Sequence, residues 1–148
     1  MNARRWARIL LYVSSCIAAV FGAWYLLASD VPAYYKAFLG PSLSANPRVL
    51  GLLLGFMKVM GGCFLALGGG LVYFATTLLD EHPGRAFWMV SINLGLSLVP
   101  LQYVTLAVGS QIEYRTPWWA VSVLLVLMLS TLVLLRRARH GESSGPER

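Results

Sequence analysis

Charged residues are scarce in this 148-residue chain, at 12% of the total against about 25% in an ordinary soluble domain. So few polar side chains cannot cover the surface of a water-soluble domain. The net charge of +6 does not indicate nucleic-acid binding, because eight of the ten arginines lie in tails and a turn and form no basic groove interleaved with aromatic residues. The composition predicts an integral membrane protein whose surroundings are the lipid bilayer, with no nucleic-acid partner.

Residues that carry chemistry are also few. Cys16 and Cys63 lie in apolar sequence without a CxxC pair, which excludes a thiol–disulfide relay and a zinc site. His82 and His140 lie in a turn and a tail, so they cannot ligate a transmembrane haem or serve a buried serine nucleophile. No carboxylate falls within an apolar run. We therefore predict no catalytic residue, no metal and no cofactor, and favour a protein that is not an enzyme.

Four apolar runs are long enough to cross a bilayer, since a helix needs about 20 apolar residues to do so. They cover residues 9–27, 49–79, 86–108 and 118–135. The second run would extend about 46 Å as a helix, so it must tilt, bend at its glycines or project beyond the bilayer. We predict an all-α, integral membrane four-helix bundle over residues 1–137, with a polar, disordered cytoplasmic tail at 138–148.

The first run has two interpretations. A basic start and the residues "VSSC" at 13–16 resemble a cleaved secretory or lipoprotein signal. The apolar part is longer than the about 7–15 residues usual in such a signal, and the sequence after Cys16 stays apolar. A permanent span is favoured, with cleavage as the alternative.

Basic side chains are distributed unevenly between the connections. Eight arginines lie in residues 1–8, 80–85 and 136–148. The other connections, residues 28–48 and 109–117, hold Lys36, Arg48 and Arg115. Because cytoplasmic loops carry the excess of lysine and arginine, both termini are predicted to be cytoplasmic. Arginine outnumbers lysine ten to two, which favours a bacterial source and therefore the bacterial inner (plasma) membrane.

The first outer connection is the longest. Val31, Tyr34, Tyr35 and Phe38 recur there at helical spacing, which favours a short helix lying on the outer membrane surface. An irregular loop is the alternative.

Lys58 is a cation inside the second apolar run. Helical spacing places it on one face with small residues, and a stripe of this kind lets another backbone approach closely. The stripe consists of Gly51, Gly55, Gly62, Ala66 and Gly69, and Gly70 continues its small-xxx-small pattern. We predict that this face packs on protein, so that the chain is a non-enzymatic bundle or subunit, binding a second copy or a partner membrane subunit.

The third run supplies an alternative function. It contains Asn93, Ser97 and Gln102, and also Pro100, which leaves the carbonyl of the residue four positions earlier without a donor and often kinks a helix. Lys58 is expected at similar depth and could donate to the Leu96 carbonyl or to the Gln102 side-chain oxygen at this kink. The second hypothesis is therefore a pocket for a small ligand or anion beside Lys58, Asn93, Ser97 and Gln102. The alternative to a binding role is that the Lys58 side chain extends to the lipid headgroups and binds no ligand.

The segments "FGAWYLLASDVPAYYKAFLG" and "LLLGFMKVMGGCFLALGGGL" resemble the first two spans and intervening loop of the small four-helix DoxX-like membrane proteins of bacteria. The resemblance implies their architecture. The acidic residue typical of the second DoxX span is replaced here by Lys58, so no catalytic residue is carried over.

Overall fold

In a computed structural model that describes residues 3–111 and 118–143, the chain is helical, and no strand occurs in these ranges. Four helices are long and apolar enough to cross a membrane. These four spans are Ala3–Leu27, Pro47–Glu81, Gly84–Gly109 and Trp118–Ala138. The prediction of an all-α chain with four membrane-crossing helices is confirmed at this level.

The helices are α1 Ala3–Leu27, α2 Ala33–Ser44, α3 Pro47–Tyr73, α4 Leu79–Glu81, α5 Pro83–Asn93, α6 Val99–Gly109 and α7 Trp118–Ser143. The last helix therefore continues into residues for which the sequence predicts disorder, because arginine and alanine are strong helix formers and basic residues suit a helix C-terminus. Residues 144–148 of the predicted tail, and Arg115 of the predicted outer connection, lie outside the described residues.

Spans two and three each contain a π-helical turn, at Phe74–Leu78 and Leu94–Leu98. After the second of these turns the Val99 N–H donates to the carbonyl of Leu94, five residues earlier. Pro100 follows directly, and a proline in a regular helix would clash with the carbonyl four residues before it. The wider turn accommodates this ring, so the predicted irregularity at Pro100 takes the form of a π turn.

A tight turn joins spans two and three. His82 leaves the helical region at φ −143° and ψ 73°, and Pro83 begins α5. Proline suits this first helical position because its missing N–H would have no partner there. The two spans therefore form an antiparallel hairpin, and we call this end of the molecule the hairpin end.

Helix α1 lies between its neighbours, packing most extensively against α3 and next against α7, while α5 and α6 pack against α7. The buried core contains Ala7, Leu11, Leu71, Ala75, Leu79, Val90, Leu98, Leu124, Met128 and Leu135. Most of these residues lie toward the hairpin end, so the buried core is concentrated in that half of the molecule.

The contact between α1 and α3 is made by backbone. A Cβ atom added to Gly61 would lie 2.8 Å from the Gly22 oxygen, and one added to Gly22 would lie 2.9 Å from the Gly61 oxygen. Beside them the Ser15 hydroxyl donates to the Gly68 carbonyl at 2.8 Å. Glycine is required here because any side chain would separate the two helices.

Helix α2 covers the opposite end of the molecule, which we call the α2 end. The Asp30 carboxylate accepts hydrogen bonds from the Val31 N–H at 2.7 Å and from the Lys36 ammonium at 2.6 Å, and so ties down the start of α2. Gly40, at φ 74°, divides α2 before Pro41. The short helix predicted in this connection is therefore present.

Candidate functional site

Lys58 is exposed on α3. It makes no hydrogen bond or ion pair with any described residue. The side of α3 that faces α1 is formed instead by Met57, Gly61 and Gly68, all of them buried. Lys58 is therefore an uncompensated cation in the middle of an apolar helix.

The small residues predicted to pack are uncovered. Within the part of the chain that the structure describes, no atom of another helix lies within 4 Å of a Cβ atom built on Gly51, Gly55, Gly62, Gly69 or Gly70. Ala66 is exposed as well. Packing inside the chain is thus made by Gly61 and Gly68, on a neighbouring side of the helix. The stripe that contains Lys58 is free to contact another chain, which stays a prediction.

A cleft of about 240 Å³ separates spans two and three. It is lined by Met60, Cys63, Phe64 and Leu67 of α3 and by Ser97, Leu98 and Leu101 of span three. Leu67 follows Lys58 by nine residues, which at about 100° per residue is half a turn round the helix. Lys58 therefore lies on the side of α3 away from span three.

This position contradicts the predicted hydrogen bond between Lys58 and the Pro100 region. The similar depth of Lys58 and Pro100 along their helices suggested this hydrogen bond. The rotation of α3 about its axis, however, directs Lys58 away from span three. The Gln102 side-chain oxygen, one of the proposed acceptors, is buried and has no partner among the residues described.

The polar residues of span three are not brought together with Lys58. The Asn93 amide donates to the Met89 carbonyl of its own helix at 2.9 Å. Ser97 lines the cleft, whereas Asn93, Gln102 and Lys58 are not among its lining residues. The predicted set of four therefore does not form one site, and only Ser97 belongs to the observed cleft.

A smaller and more enclosed cavity, of about 90 Å³, lies beside the cleft toward the α2 end. It shares Met60, Phe64 and Leu101 with the cleft. The remaining lining residues are Phe21, Tyr25, Tyr35, Val104, Thr105, Ala120, Val121 and Leu124. Cleft and cavity are thus adjoining spaces with a common wall.

Tyrosines close this cavity at the α2 end. The Tyr25 ring stacks on Phe64 with centroids 6.1 Å apart and planes at 5°, and its hydroxyl lies 3.4 Å from that of Tyr34. Burial raises the pKa of Tyr35 further above its ordinary value, so its hydroxyl stays neutral at physiological pH. Sequence reasoning missed this cluster because Tyr25, Tyr34 and Tyr35 are also typical of a membrane-interface belt.

A third groove, of about 310 Å³, lies between spans one and four and is lined by Cys16, Ile17, Val20, Phe21, Trp119, Ala120 and Val123. The two cysteines are therefore in different grooves, and both are free thiols. Across the described ranges, no group of three or more His, Cys, Asp or Glu residues could hold a metal ion.

No family model matches the chain, and no curated protein or solved structure is significantly similar to it. The resemblance to DoxX-like proteins consequently stays a prediction that these comparisons neither support nor oppose.

Proposed function

We propose that this chain is a non-enzymatic membrane subunit that binds a transmembrane helix of another protein along one side of span two. The docking stripe consists of Gly51, Gly55, Lys58, Gly62, Ala66 and Gly69. The observation that carries the proposal is the combination of glycines open to close approach with a lysine that has no partner. The chain is a bundle in the bacterial inner membrane with both termini cytoplasmic, as the arginine distribution indicates.

Contact with lipid alone is energetically unfavourable for this stripe, because the stripe contains a charged lysine. Lys58 lies six residues from the middle of the Pro47–Glu81 span, about 9 Å along the helix. A lysine at the centre of a membrane helix costs about 2.5–3.5 kcal/mol on insertion scales, and one at this position costs part of that. The flanking Leu52, Phe56 and Val59 side chains are exposed and apolar. A partner helix that packs against the glycines and presents a carboxylate to Lys58 would offset this cost.

The charge of Lys58 also decides between a second copy and a different partner. A dimer with its two-fold axis along the membrane normal places identical residues opposite each other. Packing through this stripe would then set Lys58 against the Lys58 of the second copy, and like charges in a low-dielectric surrounding repel strongly. We therefore infer a partner helix that carries an acidic residue.

A synthetic transmembrane helix tests this function directly. Fluorescence energy transfer in bilayers would measure binding of a Leu/Ala-rich peptide with one mid-span Glu, alongside the same peptide with Gln. The Glu peptide should bind more tightly by about 1 kcal/mol, roughly fivefold, as for interhelical polar contacts. The preference should vanish in Lys58→Met. Equal binding of both peptides to the unmodified chain would refute the proposal.

Substituted glycines supply the matched controls. Gly55→Leu and Gly62→Leu should weaken binding of the Glu peptide without unfolding the chain, since both positions are open. Gly95→Leu, at an open glycine of span three, should leave binding unchanged. A homodimer detected by native mass spectrometry and strengthened by Lys58→Met would show instead that the stripe serves self-association.

A further inference from the structure

We propose that the cleft between spans two and three is a binding site for the hydrocarbon chain of a membrane lipid. The proposal concerns the side of span two opposite the docking stripe. It therefore does not depend on the proposed function.

The cleft exists because spans two and three diverge from their hairpin. Near the turn the π segment Phe74–Leu78 packs on α5. Farther along, α3 packs on α1 while α6 packs on α7, so each helix of the hairpin follows a different neighbour. The space left between them is the cleft. One side of the cleft is open to the medium that surrounds the four spans.

The walls of the cleft select for hydrocarbon. Of its seven lining side chains none is charged, and Ser97 and Cys63 are the polar ones. The volume of about 240 Å³ exceeds that of engineered apolar cavities of about 150 Å³, which stay free of water and bind hydrocarbons. An ionic or strongly hydrated ligand would lose its water here without finding a charged partner.

The position of the cleft along span two further limits which ligand can occupy it. Met60 to Leu67 lie at the middle of the Pro47–Glu81 span, where a bilayer contains acyl chains and no headgroups. The side chain of Met60, which adapts to irregular shapes, lines both the cleft and the cavity.

The test uses the full chain in bilayers that contain phosphatidylcholine with a diazirine near the end of one acyl chain. After irradiation, mass spectrometry identifies the labelled residues. Leu101, which lines the cleft, should be labelled more than Leu96, an exposed residue of the same span that does not line it. Equal labelling of the two positions would mean ordinary surrounding lipid only, and would overturn the proposal.

The two cysteines allow a matched pair of variants, since each is an exposed residue lining a different groove. Cys63→Trp should fill the cleft and reduce labelling of Leu101 by about tenfold, because close packing leaves no room for both groups. Cys16→Trp should leave labelling of Leu101 unchanged. If Cys63→Trp does not fold, Ser97→Leu fills the same cleft from the other wall. Unchanged labelling of Leu101 in a folded cleft variant contradicts the proposal.

Lys58→Met separates this proposal from the docking stripe. Because Lys58 lies on the far side of α3, the variant should lose its preference for the Glu peptide while retaining lipid labelling at Leu101. Loss of labelling in that variant would show that the cleft depends on the stripe, against the separation argued here.

Discussion

Gly61 and Gly62 are neighbours in sequence, but they lie on sides of span two that have different surroundings. A Cβ atom on Gly61 would meet backbone atoms of α1 at 2.8 Å, whereas a Cβ atom on Gly62 has no described atom of another helix within 4 Å. One residue is about 100° of helix rotation, which is enough to change a glycine from a required contact into an open surface. Glycine-rich sequence therefore identifies where a helix can be approached, but not by what.

The largest expected effect distinguishes these two glycines. Gly61→Ala should lower the free energy of unfolding by about 2 kcal/mol, as overpacking of a tight contact does, because the added methyl meets backbone that cannot rotate away. Gly62→Ala should be neutral or slightly stabilising, since alanine is the better helix former. Reversible unfolding in mixed micelles would measure both. Equal destabilisation would show that the Gly62 side is also packed within the chain.

Two serines of α1 provide the next test of the contact between α1 and α3. Ser15 donates to the Gly68 carbonyl, whereas the buried Ser14 hydroxyl has no partner among the described residues. Ser15→Ala should cost about 1 kcal/mol, the net value of one hydrogen bond. Ser14→Ala should cost less or stabilise, because it removes an unsatisfied polar group. The same unfolding measurement applies, and the reverse ranking would exclude the hydrogen bond as a source of stability.

An ion pair joins the two contacting helices at the hairpin end. Arg8 near the start of α1 donates to the Asp80 carboxylate at the end of span two, and both side chains are partly exposed. Asp80→Asn should therefore destabilise by less than about 1 kcal/mol, as exposed pairs do. The loss should shrink at high salt. A larger, salt-independent loss would indicate a buried role for Asp80.

The smallest effect is expected at the α2 end. The hydrogen bond from Lys36, followed by that from the Val31 N–H, holds the pKa of Asp30 below its ordinary value of 3.8. Because the folded chain favours the ionised carboxylate, this contribution is present above about pH 4 and is lost as pH falls through the lowered pKa. Near-ultraviolet circular dichroism of the tyrosine cluster should report the loosening of α2 on acidification. In Asp30→Asn this pH dependence should disappear.

Prediction from sequence succeeded where the signal is local. Run length located all four spans. The spacing of Val31, Tyr34 and Tyr35 indicated α2. Each of these depends on residues close together in the chain, so no knowledge of neighbouring helices was needed.

Prediction failed where two helices had to be placed relative to each other. Lys58 and Pro100 were expected to meet because they lie at similar depth, yet α3 turns Met60 and Leu67 toward span three instead. Asn93 was expected in the same site, but its amide is used within its own helix. Depth follows from counting residues along each helix, whereas rotational phase is set by the helix that packs against it.

The sequence by itself determined that the chain forms four long apolar helices, with glycines concentrated on the second and a lysine among them. Only the tertiary structure decided which glycines meet another backbone. Gly22 and Ser15 of α1 lie against Gly61 and Gly68, and this contact sets the rotation of α3. That rotation leaves the Lys58 stripe uncovered and directs the apolar α3 residues that line the cleft toward span three. The physical reason is that a helix with glycine on several faces has several ways to pack, and the choice depends on the shape of its neighbour.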